Sequence, residues 1–501
     1  MEDCGTRKRA GPNRADGKAR DRGVQTDSRG QGPAPRLSKG NLFTLLSLWM
    51  ELFPQERVEE QDGQVNSVGL VVVGDSKVMG LHSSGSELHA GQAAILQHGA
   101  ALSQSSLYFS RRPCSTCLKM LLNAGVGQIC FWPGDPEVSM LENPSSHDAS
   151  GRSVPEEAAW DALAADTLKS NSRAHICVPL QPLEPGLAQF VSETSRGGDF
   201  MERIAEDESG LDVEQLYNRE RVRALASLSS RFLVRRPQEH QQILSLMKLE
   251  TFCVEPYFSG LRHNMQELVQ VLAAAVAGLP HHNGYGFYRW NSDAALSQSE
   301  PVSAEEALHC MIQAAILALR TEDPKVGVGA VIWAKAEQTG RLSFVGCGFN
   351  AYPRGSQCNE YPQMDDKQED RQRRKYRYIV HAEQNALTFR TREIRRSEPT
   401  LLFVTKCPCD ECVPLIGAAG VSHVFTTDMD HGRDKGDISY LRFQHMSRVS
   451  KFCWQKLPSP AQHSSSHFAN GVVGKHSRQV EPERPSSKKL RTHRTEDSKG
   501  E

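Results

Sequence analysis

The chain carries one pattern twice, and that repeat limits the folds open to it. In residues 37–135 an apolar-periodic segment, LFTLLSLWMELF (42–53), precedes the β-branched run VGLVVVG (68–74) and a short strand at 78–82. A helical stretch HAGQAAILQHG (89–99), a strand SLYFS (106–110), a helix CSTCLKMLLNAG (114–125) closed by glycine, and a strand ICFW (129–132) complete the copy. Residues 301–450 repeat the order, with a helix at 304–320, strands at 326–334 and 342–350, a helix at 381–389, a strand at 400–406, a helix at 409–420 and a strand at 421–427. Strands alternating with helices predict an α/β protein made of two three-layer α/β/α sandwiches with mixed sheets.

The rest of the 501 residues is weaker in pattern, and a chain of this length is expected to hold two or three domains. Residues 136–300 read as a linker and helical region, with a helix over 264–278 started by Asn264 as N-cap and stopped by Gly278. Residues 1–36 and 456–501 are rich in Gly, Pro, Ser and charge, and are expected to be disordered. The net charge of −1 supplies no bulk attraction to nucleic acid. Thirteen cysteines, odd in number and unevenly spaced, argue against a secreted disulfide framework. The opening MEDCGTRKRAG lacks the apolar core of a signal peptide, and no run reaches the ~18 apolar residues of a membrane span. Cytoplasm and nucleus are the expected locations, with no membrane partner. Two basic clusters in KHSRQVEPERPSSKKLR, carrying Lys475, Arg478, Lys488, Lys489 and Arg491, have the form of a bipartite nuclear localisation signal or of a solvated charged tail. The leucines of 42–53 read as a core helix or as a nuclear export signal.

The chemistry lies in the second copy. His381-Ala382-Glu383 opens one helix, and Pro408-Cys409-Asp410-Glu411-Cys412 opens another after a strand. Cysteines three residues apart at a first helical turn share a face, so both sulfurs reach one metal, and the helix N-terminus favours the thiolate. With His381 they make three ligands, which leaves a fourth tetrahedral position for water and marks a catalytic zinc. Zinc lowers the pKa of such a water toward about 7, and Glu383, two residues past the ligand, is placed to shuttle protons. H-x-E followed by P-C-x-x-C is the signature of zinc nucleobase deaminases. Either half alone is weak; the pair, in order, 28 residues apart and separated by a strand, is specific. A closed zinc knuckle with Cys407 as a fourth ligand is the alternative.

Further motifs extend the likeness. DPKVGVGAVIW (323–333), GFNAYPRG (348–355) and IVHAEQNAL (379–387) resemble the deoxycytidylate branch of the cytidine deaminase family over about residues 303–446. The resemblance implies two cytidine-deaminase-like sandwiches, a homo-oligomer, and deamination of cytosine in free cytidine, deoxycytidine, dCMP or dCTP to the uracil form with release of ammonia. It also implies substrate contacts from Asn350 to the sugar and from the Ala382 N–H to the base carbonyl, with Arg354 and Asn385 near the pocket. Phe349 and Ala351 depart from the family's tyrosine and glycine, and KQEDRQRRKYR (367–377) is an insertion. That insertion is either a solvated loop or a phosphate clamp suited to a triphosphate.

The first copy holds His89, Cys114 and Cys117, with Gly91 where the second has Glu383. It is expected to bind a second zinc without turnover. Polynucleotide editing and a non-enzymatic zinc module compete with the leading function. The near-zero charge and the missing aromatic-plus-basic tract weigh against the first, and intact Glu383 against the second.

Overall fold

The computed structural model describes residues 36–54, 67–85, 88–137, 154–178, 180–196, 201, 212–280, 285–292, 294–323, 326–336, 340–356, 361–362, 374–429 and 439–456. Of the expected disordered tails only Arg36, paired with Glu322 at 2.6 Å, and Lys456, at the end of a strand, are described; the remainder lies outside these residues. So do the localisation residues Lys475, Arg478, Lys488, Lys489 and Arg491, and positions 367–373 of the basic insertion.

The first copy is built from α1 (Lys39–Met50), β1 (Gly69–Gly74), β2 (Lys77–Ser83), α2 (Ala90–His98), β3 (Ser106–Phe109), α3 (Ser115–Asn123) and β4 (Gln128–Phe131). The region between the copies contributes α4 (Val154–Ser170), β5 (His175–Cys177), α5 (Leu187–Arg196), α6 (Val213–Phe232), α7 (Pro237–Leu246), α8 (Tyr257–Ala277) and β6 (Tyr285–Arg289). The second copy supplies α9 (Ala304–Ala318), β7 (Gly329–Lys335), β8 (Leu342–Phe349), α10 (Ala382–Thr388), β9 (Thr400–Val404), α11 (Cys412–Ala419), β10 (His423–Thr426), α12 (Leu441–Gln444) and β11 (Ser450–Lys456).

Two mixed sheets result, as the alternation of elements predicts. One has the order β2-β1-β3-β4-β5 and the other β6-β11-β10-β9-β7-β8. In each, an antiparallel hairpin joins a parallel set: β1 is antiparallel to β2 and β3, and β7 to β8 and β9. Both sheets extend past the repeat read from sequence. β5 lies beyond residue 135, β6 before residue 301, and β11 runs past residue 450. β5 and β6 are edge strands of three and five residues, too short for periodicity to reveal them, whereas β11 lies inside its sheet between β6 and β10.

The two sheets share one packing detail. A Cβ on Gly69 would sit 2.0 Å from the Ser47 carbonyl oxygen, and one on Gly329 would sit 1.9 Å from the Ala314 carbonyl oxygen. Each glycine lets the leading helix of its copy, α1 or α9, rest directly on the first strand.

These two helices also meet each other. Asn41 through Met50 are all buried. Trp49 stacks on His309 of α9 at 4.7 Å and donates from Nε1 to the His309 carbonyl at 2.9 Å. One apolar core therefore runs from the first sheet to the second, within the compact unit Met1–Leu457. The leucines of 42–53 serve that core.

Glu51, at the end of α1, is the charged group that this burial has to accommodate. Its side chain is fully buried, accepting from Ser110 Oγ at 2.6 Å, from Arg111 Nη2 at 2.7 Å and from Arg231 Nε at 2.9 Å. Glu51→Ala leaves Arg111 without its buried counter-charge. We expect a loss of about 3–5 kcal/mol in stability, read from the urea midpoint of the full chain; a shift under a fifth of that would show the pair to be solvated.

The helix expected over 264–278 begins seven residues earlier, at Tyr257, behind Pro256. Asn264 is an interior residue, not the N-cap. Phe258, Leu261, Met265, Leu268 and Leu272 form one buried stripe, so the helical period continues back to the proline. α8 packs against α5 and α6, and also reaches α1 and α9. Among the described residues, no helix is long and apolar enough to cross a membrane.

Candidate active site

In the second copy the residues singled out from sequence converge. His381 immediately precedes α10, with its backbone N–H donating to Gln384 Oε1 at 2.9 Å. His89 uses Gln92 in the same way at the head of α2, at 3.0 Å. In both copies this glutamine fixes how the histidine enters its helix.

The cysteines are placed by one tight turn. Cys409 lies ahead of α11 rather than within it, and its carbonyl accepts the N–H groups of Cys412 and Val413, both at 3.0 Å. His381 Nδ1 is 3.2 Å from Cys409 Sγ and 3.3 Å from Cys412 Sγ. Ligands about 2.0–2.3 Å from a tetrahedral zinc lie about 3.3–3.8 Å from one another, so this donor set fits zinc in both chemistry and spacing. Cys409 is pulled down, to about 4, by the hydrogen bond with Cys412 and then by His381, against the opposing effect of burial. The same hydrogen bond, together with burial, pushes the Cys412 thiol well up, so the two sulfurs share one proton and one negative charge.

Cys407 is not part of this group among the described residues. Burial pushes its thiol up, and Asp428 adds to the effect. The closed-knuckle alternative requires it as a fourth ligand, and the geometry does not supply it.

Glu383 sits in the first turn of α10, buried beside the cluster. Burial pushes its carboxyl up to about 7, against the opposing pull of His381. A group balanced there can both take and give a proton near neutral pH. It lines a cavity of about 160 Å³ together with His381, Ala382, Cys409 and Asn350.

The other expected substrate residues divide. Asn350, just past β8, lines the cavity with its amide held at both ends: Nδ2 donates to the Val326 carbonyl and Oδ1 accepts from the Val328 N–H, each at 2.8 Å. Asn385 instead donates to the Phe349 carbonyl at 2.8 Å, tying α10 to β8. Arg354 reaches the Asp75 carbonyl at 3.0 Å, on the β1–β2 turn of the first copy. Neither Asn385 nor Arg354 is among the cavity residues.

Sequence reasoning missed five other residues that line the cavity, Asp323, Tyr376, Lys406, Asp428 and Tyr440. The reading of the basic insertion as a solvated loop is corrected at Lys375, whose side chain is fully buried. Its Nζ lies 2.7 Å from Asp323 Oδ1. The signal lies in composition: Lys375 is followed by Tyr376, Tyr378 and Ile379, and so opens an apolar stretch after the charged run.

The first copy gathers its three residues too. His89 Nδ1 is 3.3 Å from Cys114 Sγ and 3.4 Å from Cys117 Sγ. Glu137, which no motif indicated, joins them.

Fold and cluster together define a zinc-binding deaminase-type domain. Residues 302–427 match the family model described as the cytidine and deoxycytidylate deaminase zinc-binding region. A zebrafish (Danio rerio) protein, cytidine and dCMP deaminase domain-containing protein 1, is 53% identical over 440 residues, spanning 86% of this chain and 93% of the relative. Human deoxycytidylate deaminase is 31% identical over 134 residues, spanning 26% of this chain and 71% of the relative. The crystal structure of dCMP deaminase from cyanophage S-TIM5 aligns at 23% identity with a TM-score of 0.21, covering 30% of this chain and 98% of that one. The chain belongs to the cytidine and deoxycytidylate deaminase family, and its likeness to the zebrafish relative runs through both copies.

Proposed function

We propose that the second copy hydrolytically deaminates cytosine in a free nucleoside or nucleotide (cytidine, deoxycytidine, dCMP or dCTP), releasing ammonia and the uracil form. The observation that carries this is Glu383, a buried carboxyl that lines the cavity beside the three-donor cluster and is not one of the donors.

His381, Cys409 and Cys412 would hold the zinc ion. Zinc held there supplies Lewis acidity, lowering the pKa of a water toward about 7. Glu383 takes one proton of the attacking water and delivers it to N3 as the C4–O bond forms, then takes the second from the C4 hydroxyl and gives it to the amine as the C4–N4 bond breaks. Ala382 lines the cavity, and its backbone N–H would hold the base carbonyl. Asn350 is fixed by Val326 and Val328, so the wall on the sugar side is set before substrate arrives. The cavity of about 160 Å³ accepts one pyrimidine ring; it is smaller than the roughly 300–1,000 Å³ of pockets for larger ligands.

The full chain, incubated with cytidine, deoxycytidine, dCMP, dCTP and a cytosine-containing oligonucleotide, should release ammonia from at least one free compound and not from the oligonucleotide. Turnover of the oligonucleotide alone would reverse this ranking in favour of polynucleotide editing.

A further inference from the structure

The structure assigns a closed metal site to the first copy, with Glu137 as the fourth ligand beside His89, Cys114 and Cys117. All four side chains are buried, and their donor atoms lie within 4.8 Å of one another. Glu137 comes from the segment after β4, where its backbone N–H donates to the Arg112 carbonyl at 2.9 Å. Its two carboxylate oxygens do different things. Oε2 accepts the Cys114 N–H at 2.8 Å. Oε1 is buried without a well-formed hydrogen bond, and lies 3.1 Å from His89 Nδ1, which pairs with it only when the imidazole is protonated.

A buried carboxylate oxygen without a donor is costly unless a cation meets it. A divalent ion at the centre of this group satisfies that oxygen, both sulfurs and the imidazole nitrogen at once. The separations of 3.1, 3.3 and 3.4 Å from His89 Nδ1 approach the edges expected for tetrahedral zinc, about 3.3–3.8 Å. Three protein ligands keep a position open for water, whereas four protein ligands close the site and make it structural. The second copy has three such side chains among its described residues, and the first has four.

Gly91 fits the same arrangement. A Cβ there would lie 3.2 Å from Cys117 Cβ and 3.3 Å from Cys117 Sγ. The position that carries the proton shuttle in the second copy is crowded in the first, while the chain's own carboxylate fills the place where water would react. The metal then joins the starts of α2 and α3 to the loop after β4. α4 is anchored alongside, where Asp161 accepts the Ser115 N–H at 2.8 Å.

The test uses full-length protein loaded with Co²⁺, whose visible bands report ligand number and exchange. In a Cys409→Ser/Cys412→Ser chain only the first site remains. It should take up one cobalt per chain with a tetrahedral thiolate spectrum that millimolar azide leaves unchanged. Adding Glu137→Ala should weaken cobalt binding by about 10-fold or more and make the bands azide-sensitive. No cobalt in the double-serine chain would overturn the assignment, as would azide-sensitive bands before Glu137 is changed, or an unchanged spectrum after it. If Glu137→Ala does not fold, the wild-type chain decides. Azide should then shift only part of the two-cobalt spectrum, and a shift of the whole would leave Glu137 no role as a ligand.

Discussion

Glu383→Ala should retain zinc in the second copy and lose deamination by about 10²- to 10⁴-fold. The side chain is buried at the cavity wall beside His381, and it is not one of the three donors. Removing it therefore takes away the proton carrier and leaves the metal ligands in place. Glu383→Gln is the sharper variant, because it keeps the volume and loses only the titratable carboxyl. Metal content by elemental analysis and ammonia release under saturating substrate separate the two effects. Zinc lost along with activity would mean that Glu383 is structural. Activity within about threefold of wild type would remove its assigned part in the chemistry.

Lys375→Ala should cost about 3–5 kcal/mol of stability, because it leaves Asp323 buried without its ion partner. The pair stands at the base of a relay. Asp323 Oδ1 receives Lys375 Nζ at 2.7 Å and the Val326 N–H at 3.2 Å. The Val326 carbonyl in turn receives the amide of Asn350. Loosening Asp323 therefore slackens the segment that sets Asn350 against the cavity, and KM should rise along with the loss of stability. A Lys375→Met/Asp323→Leu chain should recover most of the stability, since exchanging a buried pair for apolar groups of similar volume is often neutral. A urea midpoint for Lys375→Ala within experimental error of wild type would show that the pair carries little weight.

Two pairs at the site were legible in sequence for one reason. The spacing within His381 and Glu383, and within Cys409 and Cys412, is local, and local spacing decides which side chains leave a helix start on the same side. The repeat was legible because each copy has its own alternation of apolar periods. The glycines at 69 and 329 mark the same close helix-to-strand approach in both.

Other features were not legible. Asn264 looked like an N-cap because the stripe was read only forward from it. Arg354 and Asn385 sit in motifs shared with the family, yet their side chains go to Asp75 and Phe349. Lys375 was hidden inside a run of charge, and a charged run by itself does not tell which member turns inward.

By itself, then, the amino-acid order determined the two-copy α/β plan, the two histidine–cysteine sets, and the presence of a carboxylate at one and a glycine at the other. Tertiary structure decided what each set encloses. Glu137 stands 20 residues beyond Cys117 and Lys375 stands 52 beyond Asp323. No periodicity links such positions, and only the folding of β4 beside β3, and of the segment before α10 against the connection between α9 and β7, brings them into contact. Whether a metal site is open or closed depends on one oxygen arriving from elsewhere in the chain, and that arrival is a property of packing.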